Sequence, residues 1–298
     1  MKDYFNYQGK VCVVTGSSNG MGLATTKMLV DLGAKVYAVS RSTTKVEGIE
    51  ASILCDLSCK DDIDKAFAQL PDHIDCFFGV AGLSGSKTPY LTTFNCDFTA
   101  NKYITLEYLT KRMSAGGSIV YVSSTAGLNW EKHRKEQDKI VHAAGWKETE
   151  EALGKLPTTS PGNFAYMFAK RCMSQFAAEQ ALSLGKKGIR VNNVMPGSTD
   201  SGMKDEFEKL AGGKEALLNE TGVAHRLATP EEMAGPIVFL GSDCASFISG
   251  VDLCVDSADR TSKVLKVKKD VTNIPMTNPL VIKMAKKAMD RQNKVKVI

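Results

Sequence analysis

Residues 11–33 constrain the fold of this chain more than any other stretch. Val11 to Thr15 is a short, continuous apolar run, as expected for a buried strand of a parallel sheet. It leads directly into Thr15-Gly16-Ser17-Ser18-Asn19-Gly20-Met21-Gly22, and then into Leu23 to Val30. That last segment has helical periodicity and stops at Gly33, a residue suited to a helix C-terminal cap. Strand, glycine turn and helix in this order are the context a dinucleotide site requires. Glycines let the backbone turn sharply and approach a pyrophosphate, which is favoured at the positive helix N-terminus. Gly16, Ser18, Asn19, Gly20, Met21 and Gly22 are the candidate contacts there.

Lys35 to Val39 predicts a second strand, and Ser40-Arg41-Ser42 falls where a dinucleotide would place its adenosine ribose. Preference for NAD needs a carboxylate at this point, and none is present. Ser40 removes the repulsion that a carboxylate exerts on a 2′-phosphate and offers a hydroxyl donor. Arg41 supplies a planar, permanent charge suited to phosphate oxygens, with help from Ser42 or Thr43. The expected cofactor is therefore NADP(H) in preference to NAD(H).

Ser52 to Cys55 reads as a third strand ending at Asp56-Leu57, and Ser58 with Asp61 has the form of a capping box for the next helix. Ile74 to Val80 is a fourth strand running into the small-residue turn Ala81-Gly82. Thr92 to Arg112 is helical in character, and Ser118 to Val122 gives a strand closing at Ser123-Ser124. Leu128 to Gly162 interrupts the rhythm: it is charged, contains Trp130 and Trp146, and is helical in its centre until Pro157. A helix from Phe164 to about Gly185, a strand from Ile189 to Met195, and the loop Pro196-Gly197-Ser198-Thr199-Asp200-Ser201 follow. Thr229-Pro230-Glu231-Glu232 is a strong helix start, and Val251 to Val255 is the last strand. Alternating strands and helices predict an α/β fold, a doubly wound parallel sheet of about seven strands with ligands at the strand C-terminal ends.

Tyr166 and Lys170 are four apart, so on a helix both leave from one face with their tips close together. An ammonium beside a phenol stabilises the phenolate and draws its pKa from about 10 towards neutrality. Such a tyrosine exchanges a proton near physiological pH.

The remaining composition narrows the possibilities. The 298 residues divide into one domain, 1–258, with a helical insertion at 128–162, and a C-terminal extension, 259–298. From Arg260 to Ile298 there are eleven Lys/Arg and two Asp/Glu. The whole chain carries +5, so residues 1–259 carry about −4, and the body is not a nucleic-acid surface. Eight scattered cysteines read as free thiols in a reducing cytoplasm. The four histidines have no ligand spacing, so no metal is expected. No signal peptide and no membrane span is predicted. Pro279 to Arg291 predicts an amphipathic helix with Leu280, Val281, Met284 and Ala288 on one side, a face expected to pack on another subunit of a homo-oligomer.

Together these pieces resemble the short-chain dehydrogenase/reductase family over residues 9–258. Thr15-Gly16-x-x-x-Gly20-x-Gly22 matches its cofactor turn, and Asp56 its acidic residue beside the adenine. Ser124 and Tyr166-x-x-x-Lys170 match its catalytic serine, tyrosine and lysine, and Pro196, Gly197, Thr199 and Ser201 its nicotinamide loop. The long charged insertion between Ser124 and Tyr166 is similar to that of the bacterial 3α-hydroxysteroid dehydrogenase/carbonyl reductase branch. Two departures stand out. Val80-Ala81-Gly82 replaces the usual Asn-Ala-Gly, and an ungapped alignment puts Asp97 at the position of a fourth catalytic asparagine, with Asn95 and Asn101 close by.

The resemblance implies reversible hydride transfer between a nicotinamide and a ketone or secondary alcohol. Ser124 would position the substrate oxygen, Tyr166 would transfer the proton, and Lys170 would tune the phenol and hold the ribose. Tyr166, Lys170, Ala81, Gly82 and Leu57 join the expected cofactor contacts. The expected substrate is a ring ketone or alcohol of steroid or bile-acid size, with smaller aliphatic or xenobiotic carbonyls as the alternative. A nucleotide-sensing or scaffold protein without catalysis is the reading from another class.

Overall fold

Seven parallel strands make one sheet in the order β3-β2-β1-β4-β5-β6-β7. The computed structural model describes residues 4–156, 162–270 and 272–284. The strands are β1 Val11–Thr15, β2 Lys35–Ser40, β3 Ala51–Leu54, β4 Cys76–Gly79, β5 Ser118–Val122, β6 Arg190–Pro196 and β7 Asp252–Val255. The helices are α1 Gly20–Asp31, α2 Lys60–Phe67, α3 over residues 90–112, α4 Arg134–Val141, α5 Trp146–Gly154, α6 Gly162–Gly185, α7 Lys204–Ala211, α8 Lys214–Leu218, α9 Pro230–Gly241 and α10 Asp259–Val264. The order turns back at β1, with β4 on its other side, which opens a crevice above the strand C-terminal ends.

Successive residues of each central strand feed opposite faces. Val13, Phe77 and Ile119 join Phe94 and Phe98 of α3 and Phe168 and Phe176 of α6 in one core. Val14, Phe78 and Val120 join Leu29 of α1 and Ile237 and Leu240 of α9 in the other. That double covering is why the strands read as continuous apolar runs.

Most element boundaries match the sequence reading to within two residues. The capping box expected at Ser58 does not form. The Ser58 backbone N–H and hydroxyl both donate to the Asp56 carboxylate, at 2.9 and 2.8 Å, and Cys59 precedes the helix without a side-chain cap. Thr229 does form its capping box with Glu232. In α3, residues Asn95–Thr99 and Thr105–Leu109 wind as π-helical turns, a feature that helical periodicity does not reveal.

The extension folds back on the body. Arg171 of α6, fully buried, donates to the carbonyls of Ile274, at 2.9 Å, and Thr272. Asn129 reaches Asp270 and Thr272, and the Met276 N–H donates to Glu136. Helix resumes at residue 279, where Ile282 is buried while Leu280 and Met284 face out. Ala288 and Arg291 lie outside the described residues, as does Pro157. Among the described residues, no helix is long and apolar enough to cross a membrane.

Candidate active site

The crevice holds a cavity of about 770 Å³ beside the glycine turn. Gly16 has φ +72°, and a Cβ there would stand 2.7 Å from the Cα of Ala81. A Cβ on Gly22 would stand 2.2 Å from the Gly16 carbonyl oxygen, so only glycine lets α1 begin this close to the turn. Asn19, extended at the N-cap, makes no capping hydrogen bond, and no acidic residue sits in the first turn of α1. The positive end of α1 is thus left for an anion, as the pyrophosphate of a dinucleotide requires. Gly16, Ser18, Asn19, Gly20, Met21 and Gly22 all line this cavity.

At the adenosine end, Ser40, Arg41 and Leu57 line the same cavity, joined by Ser42 and Cys55. The Ser42 hydroxyl donates to Ser18 Oγ at 2.9 Å. The Ser40 hydroxyl, expected to serve a ligand, is instead spent on the Ser42 carbonyl at 2.5 Å. Asp56 does not line the cavity: its carboxylate is turned onto Ser58, and its neighbours Cys55 and Leu57 form the wall.

At the opposite end lie Ala81, Gly82 and Ser201. Gly82 joins the cavity to the cluster around Lys170, since a Cβ there would stand 3.4 Å from Lys170 Nζ. Ser124 lies two residues beyond the end of β5 and is buried, as are Tyr166 and Lys170, one turn apart on α6. A Cβ on Gly127 would stand 2.9 Å from the Lys170 carbonyl, so this glycine allows the loop after β5 to meet α6 closely enough to align the three.

Lys170 Nζ donates to the Val122 carbonyl at 3.0 Å and lies over the Tyr166 ring, 5.4 Å from its centroid. Burial pushes the Tyr166 hydroxyl well above the usual phenol range, hydrogen bonding with Ser124 opposes this, and the charge of Asp97 adds to the rise. The fall towards neutrality expected from the Tyr-x-x-x-Lys spacing is therefore absent in this arrangement. The lysine lies over the ring and directs a hydrogen bond to the Val122 carbonyl.

A cover explains the burial. Phe207 of α7 meets the Tyr166 ring edge-on, with centroids 5.6 Å apart. One residue earlier, Glu206 crosses the crevice to accept from the hydroxyls of Ser84 and Ser86 (2.7 Å to the latter) and to pair with Lys87 at 2.9 Å. Burial acts to raise the Glu206 pKa, but these donors win and hold it at about 2. Sequence reasoning missed Ser84, Lys87, Glu206 and Phe207. Their only signal was their place in the loops after β4 and β6, at the strand C-terminal ends.

The loop 196–201 divides. Ser201 reaches the cavity, whereas Pro196, Gly197 and Thr199 do not line it. The Gly197 N–H is bonded to Val255 and the Thr199 hydroxyl to the Gly197 carbonyl. Elsewhere, Asp138, His142 and Glu179 bring possible metal-ligand atoms within 4.8 Å of one another. These groups are already engaged, His142 with Glu179 at 3.0 Å and Gln175 donating to both carboxylates.

Comparisons with known proteins agree with this geometry. A family model described as short chain dehydrogenase matches residues 10–135, and one described as Enoyl-(Acyl carrier protein) reductase matches residues 153–257. Coniferyl-alcohol dehydrogenase of Pseudomonas sp. (strain HR199 / DSM 7063) is 31% identical over 83% of this chain and 95% of its own length. Cis-4-hydroxycyclohexanecarboxylate dehydrogenase of Sinomonas cyclohexanicum is 28% identical, covering 83% and 95%. Among solved structures, the 3-alpha-hydroxysteroid dehydrogenase of Pseudomonas sp. B-0831, complexed with NADH, superposes with a TM-score of 0.70 at 21% identity, over 88% of this chain and all of that one. At that identity the superposition speaks for the fold. The glycine turn under its cavity, the Ser124–Tyr166–Lys170 cluster and the sequence relatives converge: this chain belongs to the short-chain dehydrogenase/reductase family and is an NAD(P)-dependent oxidoreductase of the alcohol dehydrogenase and carbonyl reductase type.

Proposed function

We propose that the protein interconverts an alcohol and a carbonyl on a ring-bearing substrate, with NADP(H) as its preferred cofactor. The observation that carries this reading is the position of Gly82. It lines the dinucleotide cavity on one side and approaches Lys170 Nζ on the other, so cofactor and proton-transfer groups share one wall. The bound nicotinamide supplies hydride chemistry. Ser124 orients the substrate oxygen, Tyr166 gives it a proton in reduction or accepts one in oxidation, and Lys170 fixes the charge beside the phenol.

Phe207 against the Tyr166 ring marks the substrate side as aromatic and apolar, a surface suited to a flat ring. The relatives named for coniferyl alcohol and a hydroxycyclohexane carboxylate support a ring of modest size. A steroid- or bile-acid-sized ring ketone remains the larger form of the same proposal, supported by the fold likeness and the long insertion. Smaller open-chain carbonyls would leave the Phe207 wall unused. The exposed Val264, Leu265, Leu280 and Met284 support a homo-oligomer.

Cofactor preference rests on the adenosine end. Arg41 is exposed at the cavity wall with the Ser18 and Ser42 hydroxyls, and the only cavity-lining carboxylate among the described residues, Glu206, stands on the nicotinamide side. A charge-assisted phosphate contact is worth about 1.5–3 kcal/mol, roughly one to two powers of ten in affinity. Arg41→Ala should therefore raise KM for NADPH about tenfold or more while leaving that for NADH nearly unchanged, and Ser40→Asp should reverse the preference. The test is a turnover screen of steroid, bile-acid, monocyclic and open-chain carbonyls with both reduced cofactors. Turnover confined to open-chain substrates, or a tenfold preference of the parent for NADH, would refute the corresponding half of the proposal.

A further inference from the structure

The loop after β4 presents three hydrogen-bond donors to a single carboxylate. The Ser84 and Ser86 hydroxyls donate to Glu206 Oε2, the latter at 2.7 Å, and Lys87 Nζ pairs with Oε1 at 2.9 Å. The Ser86 N–H donates to Ser84 Oγ at 3.2 Å, which leaves the Ser84 proton for the carboxylate. Ser84 is 3% exposed, and Ser84, Lys87 and Glu206 all line the dinucleotide cavity together with Gly82. The donors stand on the fixed side of the cavity, since their loop follows β4 and the Leu83 N–H is bonded to Asp97 at 2.7 Å. The carboxylate stands on the side able to move. None of the eight residues of α7 is buried, and Gly212 and Gly213 follow it at φ +98° and +131°.

We propose that Ser84, Ser86 and Lys87 form a receptor for a carboxylate carried by the substrate, and that Glu206 fills it in the empty site as an internal competitor. The proposal rests on the reading of this cavity as the place where a ring carbonyl or alcohol reacts, and it adds the charge of that substrate. The donors are shared between two oxygens, hydroxyls on one and the ammonium on the other, which is what a planar carboxylate requires. They hold the resident group at about 2, so the receptor is set for an anion throughout the neutral range. The exchange strands no charge. An incoming carboxylate takes over Lys87, while Glu206 passes to water on a short surface helix. A neutral substrate can take over the hydroxyls but not the Lys87 pair. Glu206 is followed directly by Phe207, whose ring meets that of Tyr166. Receptor and phenol are thus met by neighbouring residues of α7, which suits a single ring with its carboxylate opposite its carbonyl.

Two measurements on the full chain with cofactor bound test this. The first is calorimetric binding of cyclohexanecarboxylate, which has no carbonyl to react. Lys87→Met should weaken it about tenfold, and Glu206→Ala, which removes the competitor, should tighten it about tenfold. The second compares turnover of 4-oxocyclohexanecarboxylate with that of its methyl ester. The parent should favour the acid about tenfold in kcat/KM, and Lys87→Met should erase that ratio by raising KM for the acid alone. A clasp that only holds α7 predicts that either variant changes acid and ester alike. An acid-to-ester ratio unchanged in Lys87→Met, or carboxylate binding that is absent or indifferent to both variants, would overturn the proposal. If neither ketone turns over, the ring-carbonyl reading fails, and the calorimetry still decides the receptor.

Discussion

The contact between Arg171 and the C-terminal extension should dominate the energetics of residues 268–284. The guanidinium is fully buried and ends on two carbonyls of the extension, while its Nε has no partner. Each charge-assisted bond is worth about 1.5–3 kcal/mol, and burying Met276, only 1% exposed, adds a similar amount. Ordering the segment opposes these gains at about 1–2 kcal/mol per residue, so the raw effect of truncation is not diagnostic. A double-mutant cycle is. Truncation after Val267 loses the same ordering cost and the same Met276 burial whether residue 171 is arginine or methionine. Only the parent loses two acceptors of its guanidinium, a penalty of about 3 kcal/mol from bonds worth about 1.5–3 kcal/mol each, with Glu131 and Glu136 still acting on the charge. The coupling between the truncation and Arg171→Met should therefore be about 3 kcal/mol or more, read from urea unfolding. On heating it corresponds to a difference of roughly 6–12 °C in Tm. A coupling below about 0.5 kcal/mol would show that the extension does not hold the arginine.

Three further outcomes are expected. Tyr166→Phe should fold and bind cofactor yet lose at least 90% of turnover, because only the transferable proton is removed; a larger residual rate would refute its role. Asp97 has a folded pKa of about 6 against about 3.9 unfolded, so its contribution to stability is fully present below pH 4 and is lost as pH rises through 6. The unfolding free-energy advantage of Asp97→Asn should accordingly grow between pH 4 and pH 7 by up to about 2–3 kcal/mol, and a flat difference would contradict the burial cost. Glu206→Ala should release α7 from Ser84, Ser86 and Lys87 and speed limited proteolysis at residues 203–211 about tenfold, with an unchanged cleavage rate excluding the clasp.

The fold was legible because its signals are local. β1, the glycine turn and α1 are contiguous, and the Thr229 capping box is complete within four residues. What escaped sequence reading depends on partners distant in the chain. Ser58 has the right spacing to cap α2, but Asp56 captures its hydroxyl first. The extension follows the same rule. Helical periodicity marks Leu280 and Met284, which are exposed on the single chain, but gives no sign that Ile282 and Met276 are the residues buried against the body. The anchor is Arg171, about a hundred residues earlier, and no pattern within the tail announces it.

The cluster of Ser124, Tyr166 and Lys170 divides along the same line. Tyr166 and Lys170 are recognisable from their spacing, but the state of the phenol is set by groups from three other segments. Asp97 comes from the helix before β5, Ser124 from the end of β5, and Phe207 from the helix after β6. The spacing predicts a lowered pKa on the premise that the ammonium is the nearest strong influence. Here the ammonium lies over the ring, Phe207 packs against the same ring, and burial is the largest influence on the hydroxyl. Phe207, which lies against the Tyr166 ring, and Glu206, which is clasped to the loop after β4, are neighbours on α7, so one short helix carries both the apolar wall and its anchor. Freeing α7, as in Glu206→Ala, should therefore alter the surroundings of the Tyr166 ring together with the clasp.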